Sequence, residues 1–551
     1  MNPTACTRTI PEPFAHQLEA MEFIKELEYS ALFMEQGTGK SKVGLMKAHH
    51  LMKKGSIDRL LIISPNAVKD QWVDEQVPLH FPGEFYKSIV WDGFNTKTSK
   101  NSFAELLDYH GFKIFSLNIE AFSSSSADQY IKMFYKEDST MVIIDESTRI
   151  KNGSRKPAGG RRVKRKGAIS TNKILDLFER CRYKMIMTGT PTPNSPMDLW
   201  SQFEFLKKDY FGMDSFYFYH RYCITRTEVF NGRRVSVPID EKTYAKVKSR
   251  LSKEEKLTAG LVEECSALFG IKTSDVISIH KSQEFTPYKN LEELRGFINK
   301  VTFTKRKSEC LDLPEKLYSR LLVDLSPEEK RVYKDLKSKM YAEYEGKEIN
   351  VTTKMVMALR LQMVTGGLFP YDDTKIRIEE DGEYYEKSFS NTPIIGGSKV
   401  KVLISDLEEV PGDVSVIVWA RFTGEINMIH QKLVDSGYSA EKYYGGSHIS
   451  IIDRFKAREF RILVANPLKG GEGLNLQVST LQYFYSNSFM GDKRLQAEDR
   501  SHRMGQRNPV LYKDIVCRGT VDERILEVLQ RKGNLIDYFR SNPMWEPEVG
   551  F

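Results

Sequence analysis

The chain has 551 residues, 40% of them hydrophobic and 28% charged, with 82 basic against 74 acidic side chains and a formal charge of +8. That length exceeds one hydrophobic core and calls for about two to four domains, while so small a basic excess does not by itself indicate a polyanionic partner. Six cysteines scattered without a CxxC pair, an N-terminal stretch without an apolar signal core and the lack of any run of membrane-spanning length argue against a zinc ribbon, a secreted disulfide framework and a membrane protein.

Taken in chain order, residues 1–207 alternate short apolar runs with helical patterns. Strands are expected at Ala31–Phe33, Leu60–Ser64, Lys113–Leu117, Met141–Ile144 and Lys184–Thr188, compact apolar runs of the kind that parallel strands buried on both faces require. The segment 208–395 reads as a mainly helical insertion and linker: Phe211–Tyr222 is aromatic-rich, and helical spacing recurs over Lys242–Leu268, Asn290–Lys300 and Ser326–Tyr344. The acidic, Tyr-rich stretch Asp372–Ser390 reads as a surface hairpin or loop. From Ser398 the alternation returns, with helices at Lys399–Glu409 and Glu425–Ser436 and strands at Val414–Ala420, Ile462–Ala465 and Leu481–Tyr485. A helix capped by Thr520-Val-Asp-Glu523 runs to about Lys532, within a segment 396–540, and 541–551 is expected to be a tail.

Phosphate chemistry is written near the N-terminus. Gly37-Thr-Gly-Lys-Ser41 follows a strand and opens a helix, so backbone N–H groups and the helix dipole can meet phosphate oxygens. Gly37, Thr38 and Gly39 would cradle the nucleotide, Lys40 would reach its β- and γ-phosphates and Ser41 would ligate Mg²⁺. Met34 stands where the full P-loop pattern has glycine, so a Gly-rich strand-to-helix turn is the plain alternative for this match alone. Met141-Val-Ile-Ile-Asp-Glu146 strengthens the phosphate reading: Asp145 would hold the Mg²⁺ shell and Glu146 would orient or deprotonate the attacking water. Downstream, Arg500 and Arg503 lie three apart on one helical face, a pattern suited to charge developing on a transferring γ-phosphoryl group. Between Arg149 and Lys166 stand nine basic residues with no acid, including Arg161, Arg162, Lys164, Arg165 and Lys166, which would track a phosphate backbone or simply be solvated.

These motifs, in this order from Phe14 to Lys532, resemble the Swi/Snf branch of the superfamily-two nucleic-acid motors. His16-Gln17 is similar to the adenine-recognition element of that family, which implies a base-binding role for Gln17. Ser64-Pro65 resembles a DNA-contacting strand end, and Thr188-Gly189-Thr190 with Gln496 resembles the elements that couple nucleotide state to movement. Gly470–Leu476 looks like motif V, which assigns Gly471, Gly473 and Asn475 to nucleic-acid contact, with Glu472 departing from the apolar residue the family favours. Ser147 and Thr148 depart from the DEAH-like box. Gln496, Asp499, Arg500, His502, Arg503, Gly505 and Gln506 complete the sixth motif, whose HRxGQ ending separates this branch from RNA-directed relatives. Lys305-Arg306-Lys307 lies at the entry to the inter-lobe segment, as a DNA contact or a solvated turn.

The resemblance implies an α/β fold of two RecA-like parallel-sheet lobes with a mainly helical insertion and linker between them. It implies ATP and Mg²⁺ as cofactors, double-stranded or branched DNA as partner, and ATP-dependent translocation in replication, recombination or repair. A branch-migrating or unwinding helicase is a second reading, and a non-hydrolysing DNA-binding scaffold a third. The compact size suggests the cytoplasm of a bacterial or phage-infected cell, with a nuclear protein left open.

Overall fold

Long apolar runs become two parallel sheets in the computed structural model, each sandwiched between helices. It describes residues 11–540 except 67, 82–85, 124, 152, 154–168, 194, 231–232, 240, 253–256, 283–285, 340, 345–346, 351–353, 370–375, 379–383, 387–393, 471–473 and 504. The strands are, in chain order, β1 (Tyr29–Met34), β2 (Arg59–Ser64), β3 (Tyr86–Val90), β4 (Phe112–Asn118), β5 (Thr140–Asp145), β6 (Tyr183–Met187), β7 (Thr225–Phe230), β8 (Arg233–Pro238), β9 (Thr302–Lys305) and β10 (Lys316–Val323). After them come β11 (Tyr341–Tyr344), β12 (Lys347–Asn350), β13 (Ile376–Ile378), β14 (Tyr384–Glu386), β15 (Ser415–Trp419), β16 (Ala440–Tyr443), β17 (Ile462–Ala465), β18 (Ser479–Phe484) and β19 (Val510–Cys517).

The first sheet has the order β3-β4-β2-β5-β6-β1-β9 and the second β10-β19-β18-β15-β17-β16, with every pairing parallel. Alternation along each strand divides its side chains between two cores. Ala31, Phe33, Leu61, Ile63, Val142 and Ile144 enter one, and Leu32, Met34, Leu60, Ile62, Met141 and Ile143 the other. In the second sheet Val416 and Val418 face one layer of helices while Ile417 and Trp419 face the opposite one. This is the expected pair of RecA-like lobes. The strand order also puts β6 between β1 and β5, so the ends of β1, β5 and β6 open side by side on one edge.

The stretch expected to be helical insertion and linker is more mixed. Helices Glu241–Leu251, Ala259–Phe269 and Thr273–Lys281 gather around Val247, Cys265, Val276 and Ile279, and the antiparallel hairpin β7–β8 adjoins them. Residues 208–395 nevertheless supply β9 to the first sheet and β10 to the second, so sheet membership changes between Lys305 and Lys316. Both strands escaped the sequence reading for a physical reason: β9 has four residues, two of them threonine, and β10 is an edge strand with half its side chains in solvent. The edge strand β3 and the charged-in-part β19 were missed likewise. Asp372–Ser390 does contain an antiparallel pair, β13–β14. Among the described residues no helix is long and apolar enough to cross a membrane.

The two sheets meet through polar contacts around the segment joining β9 to β10. Lys307, expected to be a DNA contact or a solvated turn, is 4% exposed. Its Nζ lies 2.7 Å from Asp499 Oδ1 and donates to the His502 carbonyl at 2.9 Å, while its backbone N–H donates to Glu35 Oε2 at 2.6 Å. Lys316 Nζ sits 3.2 Å from both Asp499 and Glu498. Burial alone would raise the Asp499 pKa, but the charges of Lys316 and Lys307 outweigh it and hold this carboxyl far below the usual carboxylate range. Lys307 therefore ties the end of β1 to the sixth motif. Replacing it, Lys307→Met, should weaken the lobe contact by up to about 3 kcal/mol, the scale of orphaning part of a buried ion pair. Small-angle X-ray scattering should then give a larger radius of gyration without nucleotide. Lys305→Met, which removes only a pair with exposed Glu19, should leave the radius unchanged.

Candidate functional site

The phosphate loop begins where β1 ends. Gly39 caps the helix Lys40–Lys53 in the left-handed region at φ 87°, and a side chain there would collide with the amide of Gln17. Behind the loop, His16 Nε2 lies 2.8 Å from the Thr38 carbonyl, and Gln17 Nε2 donates to the same oxygen at 3.1 Å. Gln17 Oε1 accepts from the Phe14 N–H at 3.1 Å, so both ends of its amide bond to protein backbone. Gln17, assigned to base recognition by resemblance, thus braces the loop while lining the cleft. Lys40 Nζ donates to the carbonyls of Met34 at 2.9 Å and Glu35 at 3.3 Å, reaching back to the strand from which the loop departs.

Two strands away, β5 delivers the acidic pair. Asp145 Oδ1 accepts from the Glu146 N–H at 3.0 Å and Oδ2 from the Trp72 indole at 3.1 Å. Burial and the neighbouring Glu146 charge push the Asp145 carboxyl up to about 6, against the opposing pull of Lys40 and the two hydrogen bonds. Glu146 itself adopts a left-handed backbone, φ 49°, an uncommon conformation for a side chain of this size. From the end of β6, Thr188 Oγ1 donates to Glu146 Oε2 at 3.3 Å and accepts from the Thr190 N–H at 3.1 Å. A Cβ on Gly189 would sit 3.2 Å from Gln36 Cγ and 3.3 Å from its backbone nitrogen, so this segment packs directly on the phosphate loop. Ser147, the departure from the family box, donates to Gln202 Oε1 at 2.7 Å, and Gln202 donates to the Pro191 carbonyl at 2.9 Å. That bridge joins the acidic box to the Thr188–Pro191 segment by another route.

The second lobe supplies the facing wall. Helix Gly491–Glu498 is followed by a turn in which Arg500 Nε donates to the Gln496 carbonyl at 3.0 Å. Arg500 Nη2 donates to Gln36 Oε1 at 2.9 Å, across 464 positions of sequence. Gln36 in turn donates from Nε2 to Glu146 Oε1 at 3.3 Å. The amide orientation follows from its partners, since a guanidinium only donates and a carboxylate only accepts. Arg503 lies beside Gly37, and both arginines reach the Leu474 carbonyl at 3.4 Å. One cleft of about 1000 Å³ is lined by Gly37–Ser41, Asp145 and Glu146 from the first lobe and by Gln496, Arg500 and Arg503 from the second.

The donor set suits a small hard cation. Ser41 offers a hydroxyl and Asp145 a carboxylate on the same wall, oxygen ligands of the type Mg²⁺ takes together with phosphate oxygens and water. A carboxyl whose ionisation burial and a like charge oppose is one that a bound cation would stabilise in its charged form.

The residues assigned to nucleic acid are less gathered. Ser64 is fully buried at the end of β2 and Pro65 is buried beside it, whereas the next residue, Asn66, is exposed on the cleft. The Ser64 hydroxyl is enclosed by the strand end, and Pro65 and Asn66 are the residues of this segment that reach the cleft. Asn475 is exposed and paired with Gln477 through both ends of its amide. Arg161, Arg162, Lys164, Arg165, Lys166, Gly471 and Gly473 lie outside the described residues. Arg149 and Lys151, at the start of the basic stretch, do line the cleft. Sequence reasoning missed Gln36 and the roles of Trp72 and Lys307. No pattern marks a glutamine inside a P-loop as functional, and a lysine in a basic turn carries no sign of burial.

The model of the SNF2-related domain matches residues 16–365, more than half of the chain. The putative ATP-dependent helicase/translocase YwqA of Bacillus subtilis (strain 168) is 22% identical over 418 residues, covering 74% of this chain and 36% of its own. The ATP-dependent helicase fft1 of Schizosaccharomyces pombe is 18% identical over 456 residues, covering 76% of this chain and 44% of its own. The chain thus spans less than half the length of these relatives. A solved Sulfolobus solfataricus SWI2/SNF2 ATPase core in complex with dsDNA shares 16% identity over 97% of this chain and 94% of its own, with a TM-score of 0.37. By the extent of the family match and the order of its motifs, the chain belongs to the SNF2-related family.

Proposed function

We propose that this chain is an ATP-driven motor that couples hydrolysis to movement along double-stranded DNA. The observation that carries the ATPase half is the contact of Arg500 with Gln36, which brings a second-lobe arginine to the phosphate loop beside Glu146. Lys40 and the loop N–H groups bind and orient the triphosphate, and Ser41 with Asp145 would hold Mg²⁺, which supplies charge neutralisation at the β- and γ-phosphates. Glu146 accepts a proton from the attacking water as the new P–O bond forms and the bond to the β–γ bridging oxygen breaks, leaving ADP and phosphate. Arg500 and Arg503 stabilise the charge spread over the γ-phosphoryl oxygens, and Thr188 reports the state of Glu146 to its lobe.

Support for a duplex track comes from the HRxGQ ending of the sixth motif, and relatives named as ATP-dependent helicases or translocases support ATP-driven movement. A role in replication, recombination or repair fits that chemistry. Phosphate release measured with duplex DNA, single-stranded DNA, RNA and no polymer tests the reading. Duplex should stimulate most; equal turnover in all four conditions would sink the motor. Lys40→Ala and Glu146→Gln should each reduce turnover by about 100-fold or more while duplex binding survives. Unchanged turnover in Lys40→Ala would overturn the assignment of the site.

A further inference from the structure

Gln36 occupies a position that no phosphate-binding pattern specifies, yet it is the junction of three catalytic elements. Its carbonyl accepts from Arg500 at 2.9 Å and its amino group donates to Glu146 at 3.3 Å. The other oxygen of Glu146 is held by Thr188 at 3.3 Å, and the stem of Gln36 rests on Gly189, where a Cβ would lie 3.2 Å from its Cγ. An amide is suited to this place because one end accepts from a guanidinium while the other donates to a carboxylate. A carboxylate here would repel Glu146, and an apolar side chain of equal length would disconnect the two.

We propose that Gln36 is a positioning residue that links lobe closure to the readiness of Glu146, an inference that rests on the ATPase reading above. Without nucleotide, Gln36 holds Arg500 at the mouth of the phosphate loop and fixes one oxygen of Glu146. A γ-phosphate is a stronger partner for a guanidinium than a neutral amide, so its arrival draws Arg500 from Gln36. The amide then answers to Glu146 alone, and the carboxylate is set for water only once the second lobe has engaged the phosphate. Gln36 acts through its hydrogen bonds to Arg500 and Glu146 and takes no part in the bonds made or broken.

Steady-state ATPase assays with duplex DNA, over a range of ATP concentrations, test this with Gln36→Met and Gln36→Glu. Gln36→Met keeps the side-chain length and removes both polar ends. It should lower kcat by about tenfold or more with KM for ATP within about twofold, because orientation of the base is lost and ground-state binding is not. Gln36→Glu should be slower still, since a carboxylate retains Arg500 and repels Glu146. Both should melt close to the wild type. An unchanged kcat in Gln36→Met, or a loss carried entirely by KM, overturns the proposal while leaving the ATPase reading intact. Equal losses in both variants with a matching fall in Tm would mark Gln36 as merely structural and overturn it too. A wild-type protein inert towards ATP with every polymer removes the functional reading and this inference with it.

Discussion

Everything at the cleft depends on a buried ion pair between lobes, Lys307 with Asp499 at 2.7 Å. Each sheet folds around its own cores, and among the described residues no shared apolar layer fixes their relation. Lys307 does so with three bonds, to Glu35 on one side and to Asp499 and His502 on the other. Taking these charges out of water offsets much of their attraction, so the joint contributes geometry more than stability. Its consequence is local: Asp499 precedes Arg500, and anchoring the one delivers the other to the phosphate loop.

Within the first lobe, sheet order does the corresponding work. Because β6 lies between β1 and β5, its tip emerges between the phosphate loop and the acidic pair. Thr188 reaches Glu146 from there, and Gly189 lets the loop residue Gln36 approach. The left-handed backbone of Glu146 turns its carboxylate towards both. A conformation of that kind costs on the order of 1–3 kcal/mol and persists only where surrounding contacts hold it, which Gln36 and Thr188 do here. The resulting chain Arg500–Gln36–Glu146–Thr188 joins the two lobes through side chains alone.

What could be read from the sequence divides along the same physical line. Gly37–Ser41 and Asp145–Glu146 were legible because local backbone chemistry demands those residue types at that spacing, and both line the cleft. Arg500 and Arg503 were legible as a pair three apart, but they stand in the turn after helix Gly491–Glu498 and not on a helical face, and the fold brings them opposite. Buried strands declared themselves as apolar runs, while β9, β10 and β3 did not, being short or at an edge with polar faces. Relations between distant residues left no local trace: Gln36 with Arg500, Trp72 with Asp145 and Lys307 with Asp499 arise only when the sheets are assembled. The burial of Ser64 is likewise invisible locally, since nothing in the sequence of a strand end says which side chains it encloses.

The central claim is that one nucleotide is held by both lobes at once. An ATP analogue carrying a photoreactive aryl azide on its γ-phosphate, bound with Mg²⁺ and cross-linked by light, tests it directly through peptide mapping by mass spectrometry. Labelling should appear both in the stretch around Gly37–Ser41 and in the stretch 496–506, and excess ATP should abolish both together. Labelling confined to the first lobe, with 496–506 unmodified under the same illumination, would contradict the account.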